Sequence, residues 1–277
     1  MSIWSYDELC ATPPRGRHVE TCYYCNTDLV KLRSKVLERL TFKDTADDVK
    51  RLDACPSCGW WVLSFSRESR MGPDWHQWIH RGAGTLRRLD VSDITLPTEE
   101  LRRYLLAKYD DRLYIHPRKY EEVVASVFRD SGYRVRVTSY SGDNGIDVFV
   151  FDGDQGDVVG IQVKRTRNNI QADQIREFAG SLILNGATRG IFVTTKSFTK
   201  GAAQTANLFE TKRVAIELWD AAAFYDKLRV TTRAPYEFIE DPNAPFTALW
   251  ENPKQLPEVF HDSAGYGYLP KNWTRKG

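Results

Sequence analysis

Apolar positions recur at helical spacing from 118 to 131, where Tyr120, Val123, Val124, Val127 and Phe128 form one stripe. Pro117 stands just ahead, where a first helical turn tolerates proline, and Ser131-Gly132 closes the run. The same period predicts helices from Thr98 through Tyr109, over 172–184 (with Ile175, Phe178, Ala179 and Leu182 inward), over 200–209 and over 221–228. Thr98 can cap the first of these, with Glu99 and Glu100 suited to its N-terminus. Room for one further helix lies at 29–40.

Other stretches are apolar and β-branched without that period. Residues 145–151 and 158–164 read as two strands, and the turn-rich segment 152–157 between them makes an antiparallel hairpin. Residues 190–194 and 214–219 predict two more strands. Alternation in the hairpin puts Asp147 with Phe149 and Phe151, leaving Ile146, Val148 and Val150 on the opposite face. On the second strand Gln162 and Lys164 share one face.

Four segments follow: a small N-terminal module over 1–66, a helical connector over 67–115, an α/β domain over 116–230 and an extension over 231–277. The extension carries Pro235, Pro242, Pro245, Pro253, Pro257 and Pro270, which break long elements. Its aromatic residues Trp250, Phe260, Tyr266, Tyr268 and Trp273 are too many for a simple disordered tail. It is expected to wrap a domain or to form a partner surface.

The N-terminal module is organised by two CxxC knuckles, Cys22/Cys25 and Cys55/Cys58, the second opening onto a strand through Gly59-Trp60-Trp61-Val62. Four thiolates so arranged suit tetrahedral Zn²⁺, as in a zinc ribbon. A disulfide framework is the alternative. Five cysteines in 277 residues and no recognisable leader favour the reducing cytoplasm, and hence zinc. As a staple for a small module, or as a dock for DNA or a partner, the ribbon is better read as the staple; Cys10 is left as a buried or free thiol. His76 and His80 have i, i+4 spacing, but with no third ligand nearby ordinary packing is favoured over a metal pair.

Charge adds little. The net value of +2 is far from that of a strongly basic chain, so any DNA footprint must come from local clusters. No membrane-spanning run, internal repeat or low-complexity tract is present in the sequence.

The candidate chemistry lies in Gly142-Asp143-Asn144-Gly145-Ile146-Asp147 and Gln162-Val163-Lys164. A carboxylate on one strand, and an amide and a lysine on the next, can hold a metal ion and activate water beside a phosphodiester. A Gln-x-Lys strand end in isolation would more simply be a strand emerging into water. Glu121 sits at the edge of the buried helical stripe, whereas Glu122 lies with Ser126 and Arg129 on the far side. Asp143 could approach a metal or DNA, or make an Asx-type turn.

From about Pro117 to Leu228 the chain resembles an Mrr-type restriction endonuclease domain, a branch of the PD-(D/E)XK nuclease superfamily. The resemblance is carried by Tyr-Glu-Glu-Val-Val at 120–124, Gly-Tyr at 132–133, Ser-Gly-Asp-Asn-Gly-Ile-Asp-Val at 141–148 and Ile-Gln-Val-Lys-Arg at 161–165. It continues through Ile-Arg-Glu-Phe-Ala-Gly at 175–180, Gly-Ile-Phe-Val-Thr-Thr at 190–195 and Trp219-Asp220.

The resemblance implies an α/β fold, a restriction-endonuclease-like mixed sheet flanked by helices. It makes Asp147 the main ligand of Mg²⁺ (or Mn²⁺), with Gln162 in place of the usual acid. Glu121 and the Val163 carbonyl help complete the site, and Lys164 orients or deprotonates water or stabilises charge on the phosphate. Arg165, Arg167, Asn168, Lys196 and Lys200 are expected to contact DNA phosphates. The implied activity is metal-dependent cleavage of DNA, double-stranded in the first instance, in prokaryotic restriction or anti-phage defence. A homodimer would allow cleavage of both strands. A structure-selective repair nuclease, or an effector subunit silent until a protein partner activates it, are the alternative functions.

Overall fold

The computed structural model describes residues 3–6, 13–39, 47–71, 74–139, 145–151, 158–187, 189–234, 245–252 and 255–264. They form two compact units, one of residues 1–88 with 233–277 and the other of residues 89–232. The boundaries expected at 66/67 and 115/116 are not where the chain divides.

In the first unit β1 (Trp4–Ser5) pairs with β6 (Thr85–Leu86). A five-stranded sheet holds β2 (Val30–Arg39), β3 (Asp47–Ala54), β4 (Trp61–Met71), β5 (Asp74–Ala83) and β12 (Glu258–Ala264), in the order β12-β5-β4-β3-β2. All its pairings are antiparallel. The helix expected at 29–40 is corrected: this segment is β2. Val30, Leu32 and Val36 are interspersed with lysines and arginines, a pattern that an outer strand with Val36 half-exposed accommodates. The helical connector is likewise corrected over 67–83, which is β4 and β5. Trp75, Trp78 and Ile79 favour a pleated surface, so His76 and His80 lie on a strand rather than a helix turn apart.

The C-terminal extension belongs to this unit. Its α6 (Pro245–Glu251) sets Phe246 edge-on against Trp61, with ring centroids 5.6 Å apart, and β12 adds the sheet's outer strand against β5. Cys10, Tyr266, Tyr268 and Trp273 lie outside the described residues.

In the second unit α1 (Thr98–Ala107) leads through a short 3-10 helix (Tyr109–Leu113) to α2 (Pro117–Asp130). Thr98 does not cap α1; Pro97 occupies the N-cap position and makes no side-chain bond. A mixed sheet follows, of β7 (Arg134–Val137), β8 (Val148–Phe151), β9 (Val158–Lys164), β10 (Arg189–Thr194) and β11 (Ala215–Trp219), in the order β11-β10-β9-β8-β7. The expected hairpin is β8–β9, antiparallel with Val148 opposite Ile161, while β10 runs parallel to both β9 and β11. The helices α3 (Ala172–Leu184), α4 (Lys200–Glu210) and α5 (Ala221–Thr231) complete the unit.

Two strand glycines set how closely α3 packs. A Cβ at Gly160 would stand 2.6 Å from the Leu182 side chain, and one at Gly190 would stand 2.5 Å from it. Phe178, Phe192, Ile175, Ile146 and Phe149 share the resulting core with Ala202 and Ala206 of α4. Ile146 is thus turned to the α3 face together with Phe149, against the simple alternation, because residues 145–147 are a bend rather than strand. Ser126 is buried as well, although the helical stripe alone left it outside, and its hydroxyl donates to the Val123 carbonyl at 2.7 Å.

Candidate active site and candidate zinc centre

Asp147 ends the bend that leads into β8, held on both sides of its peptide. Its amide donates to the Ile161 carbonyl at 2.9 Å, and its own carbonyl accepts from the Thr138 amide at 2.9 Å. The carboxylate is aimed along the sheet end, where Oδ2 accepts from the Val163 amide at 2.6 Å. Asp147 and residue 163, two of the expected ligands, are therefore in direct contact. Gln162 and Lys164 flank Val163 and share the face of β9 that pairs with Phe192 and Thr194 of β10. Gln162 is half-buried and Lys164 is exposed. The strand end is anchored from β10: Thr194 Oγ1 and the Thr195 amide both donate to the Lys164 carbonyl, each at 3.2 Å.

Glu121 reaches the same end of the sheet from α2. It is 17 % exposed and pairs with Arg118 at 2.9 Å. Arg118 Nη1 also donates to the Thr138 carbonyl at 2.6 Å, and Thr138 Oγ1 donates to the carbonyls of Ile146 and Asp147 at 2.8 and 2.9 Å. A continuous hydrogen-bonded path thus runs from Glu121 through Arg118 and Thr138 to Asp147. Arg118 and Thr138 were missed from the sequence. The i, i+3 spacing of Arg118 to Glu121 was the one available signal, and such pairs are ordinary on helix surfaces. Glu122, by contrast, pairs with Lys119 at 2.7 Å.

Carboxylate, amide and carbonyl oxygens form a donor set that suits a hard divalent cation such as Mg²⁺ or Mn²⁺. Asp143 lies outside the described residues.

The expected DNA-contacting side chains fall beyond Lys164. Arg165, Arg167 and Asn168 are exposed, Lys200 opens α4 exposed, and Lys196 is half-buried in the turn before it. Arg165 is partly committed, donating through Nη1 to the Leu113 carbonyl at 2.9 Å. The Arg167 guanidinium stands 5.7 Å from the Tyr114 ring centre.

The four cysteines of the first unit do converge. Cys22, Cys25, Cys55 and Cys58 are all buried, with every sulfur within 4.8 Å of every other. Three of the spacings are 3.6, 3.4 and 3.8 Å, for Cys22–Cys58, Cys25–Cys55 and Cys25–Cys58. A tetrahedron of Zn–S bonds near 2.3 Å needs sulfurs roughly 3.8 Å apart, whereas a disulfide needs about 2.05 Å.

Each knuckle turns back through a residue in the left-handed region, Asn26 (φ 57°) and Gly59 (φ 79°), whose amides donate to the carbonyls of Cys22 and Cys55 at 3.0 Å. Without a cation the four thiols cannot all ionise together. Hydrogen bonds from neighbouring thiols hold Cys25 and Cys55 low, and the same contacts, aided by burial, push Cys22 and Cys58 up. A Zn²⁺ ion would satisfy all four as thiolates.

The fold and site of the second unit define a mixed α/β domain with an acid, an amide and a lysine gathered at one end of its central strands. Residues 113–228 match the family model Mrr_cat, described as a restriction endonuclease. The chain is also 31 % identical, over 107 residues, to the type IV methyl-directed restriction enzyme EcoKMrr of Escherichia coli (strain K12). The match covers 36 % of this chain and 35 % of that enzyme, so the chain spans about a third of the relative's length.

Among solved structures, MspJI restriction endonuclease in complex with a 27-mer oligonucleotide is 17 % identical, with a TM-score of 0.33 over 60 % of this chain and 41 % of that one. Restriction endonuclease FokI is 12 % identical, with a TM-score of 0.35 over 54 % and 34 %. The two structural scores are low, and it is the sequence matches that bear out the resemblance to Mrr-type restriction endonuclease domains over residues 113–228.

Proposed function

We propose that this chain is a divalent-metal-dependent DNA endonuclease acting in restriction. The observation that carries the proposal is the contact of the Asp147 carboxylate with the Val163 amide, which sets an acid beside Gln162 and Lys164 at one sheet end. The matching family and the E. coli relative support the same reading.

Asp147, Gln162, the Val163 carbonyl and Glu121 would hold one Mg²⁺ or Mn²⁺. When bound, such an ion neutralises phosphate charge and lowers the pKa of water. The chain's own work is positional. The Val163 amide keeps one carboxylate oxygen of Asp147 pinned, and Arg118 keeps Glu121 turned toward the Thr138–Asp147 segment. The exposed Lys164 donates to water or to a phosphate oxygen at the reacting centre. Arg165, Arg167, Asn168, Lys196 and Lys200 contact the flanking backbone and fix its register without reading sequence.

The cysteine cluster holds a structural Zn²⁺, which belongs with a reducing cytoplasmic setting. No helix among the described residues is long and apolar enough to cross a membrane. Double-strand cleavage requires a homodimer or two successive nicks. Because the E. coli relative is named methyl-directed, methylated DNA is the substrate to set against unmethylated DNA.

The test is plasmid cleavage with Mg²⁺, Mn²⁺ or EDTA, on both DNAs, beside Asp147→Ala and Lys164→Ala. Metal-dependent nicking or linearisation is expected in the wild type and about a thousandfold less in either variant, with unchanged circular dichroism. Wild-type rates in a variant would remove the site assignment. No cutting under any condition would instead point to an effector that needs an activating protein partner.

A further inference from the structure

We infer that Tyr114 is a base-stacking contact beside the cleavage site, and that the preferred substrate is therefore DNA whose bases are unstacked there. The inference rests on the nuclease reading and narrows its substrate class.

Tyr114 follows the 3-10 helix and is 58 % exposed, among the large side chains left most open to solvent. An exposed tyrosine alone is unremarkable on a protein surface. Its mounting is not. Arg112 pins the segment to β10's end, with Nε donating to the Thr195 carbonyl at 3.1 Å and Nη1 to the Tyr109 carbonyl at 3.0 Å. The guanidinium of Arg112 also lies over the Tyr109 ring, 4.6 Å from its centre. From β9's end, Arg165 Nη1 donates to the Leu113 carbonyl at 2.9 Å. The Tyr114 amide closes the turn on the Asp111 carbonyl at 2.9 Å.

Both anchors belong to the Lys164 neighbourhood. Arg165 is the next residue in the chain, and the Thr195 amide donates to the Lys164 carbonyl at 3.2 Å. The backbone that carries the ring is therefore fixed relative to the candidate catalytic strand end. Arg167 stands 5.7 Å from the ring centre, while much of the ring stays in solvent.

An aromatic ring backed by a guanidinium and held among exposed cations offers what a nucleobase face requires: a π surface, a cation–π contribution and nearby donors for the phosphate. In an intact duplex the base faces are covered by their neighbours. A ring on so anchored a backbone gains this contact only where the strand is single or locally opened. Prior ordering by Arg112 and Arg165 reduces the entropy lost when the base docks.

The experiment uses the full chain in EDTA, so that binding is measured without cleavage. A fluorescein-labelled single-stranded oligonucleotide and the matching duplex are titrated by anisotropy. A second single strand carrying 2-aminopurine reports stacking by quenching. Tyr114→Ala is expected to weaken single-strand binding about tenfold and to abolish the protein-dependent quenching. Duplex affinity should change less than about twofold, and Tyr114→Phe should behave as the wild type. Single-strand binding by Tyr114→Ala equal to the wild type, an equal loss on the duplex, or a loss in Tyr114→Phe as large as in Tyr114→Ala would each overturn the stacking role while leaving the nuclease reading intact. Failure of the wild type to bind any DNA would overturn the nuclease reading together with this contact.

Discussion

The carboxylate of Asp147 accepts from the backbone amide of Val163 on the neighbouring strand, which helps to set its direction. Glu121 is held by Arg118, whose guanidinium also donates to the Thr138 carbonyl. Two tyrosines of the same unit have shifted phenols. Tyr120 is fully buried and Tyr109 partly so, and the two phenols interact with each other. Burial is the main cause that pushes both phenols above their ordinary value.

The sign of the effect on stability follows. The folded state keeps these protons at a pH where the unfolded chain has released them. Their contribution is full below the unfolded value of about 10 and is lost as pH rises through the folded values. Thermal unfolding of the protein should accordingly shift downward between about pH 9.5 and 11. Tyr120→Phe should flatten that shift; an unchanged slope in the variant would assign it to other groups.

At the scale of elements, Arg102 joins three helices. Its guanidinium has no solvent exposure and bonds Glu99 of α1, Asp130 at the end of α2 and Thr231 of α5. Asp130 is 42 % exposed and can rehydrate, so the loss on removing Arg102 is mainly packing and desolvated hydrogen bonds. Arg102→Ala is expected to cost about 3 kcal/mol, read from urea unfolding. A loss below about 1 kcal/mol would show that the helices hold one another without it.

The sheet carries a comparable lesson about small residues. Gly160 and Gly190 lie within strands expected from the sequence, where nothing marked them out, yet they admit Leu182 of α3 to the sheet surface. No pattern along one segment announces a partner from another.

For the molecule as a whole, the division into units is not the order of the chain. Residues 258–264 return to pair with β5, and Lys50 of β3 meets the Trp250 carbonyl and stands 5.4 Å from the Trp250 ring centre. A chain ending at residue 232 is expected to lose the cooperative unfolding transition of the first unit, as followed by tryptophan fluorescence, while the second unit keeps its own. Zinc should act on the same unit. Chelation, or Cys55→Ala, should release one Zn²⁺ per chain by elemental analysis and lower that transition by about 10 °C or more. Retention of both transitions in the shortened chain would show the strand to be dispensable.

Much of the second unit was legible because its signals are local. The α2 stripe, the paired β8 and β9, α3 and the short β10 and β11 each satisfy one period over their own length, and the candidate residues Asp147, Gln162 and Lys164 lie in the bend before β8 and on β9, close together in the chain. The paired CxxC knuckles were legible for the same reason, since each is a local turn demanding four thiols in sum. The tertiary structure alone decided what depends on distant partners: β2 as a strand where charged alternation also allowed a helix, β12 as the outer strand of an N-terminal sheet, and Arg118 as the link from Glu121 to Asp147. Periodicity records which side of a segment avoids water. Which other segment excludes that water is settled only when the chain has closed on itself.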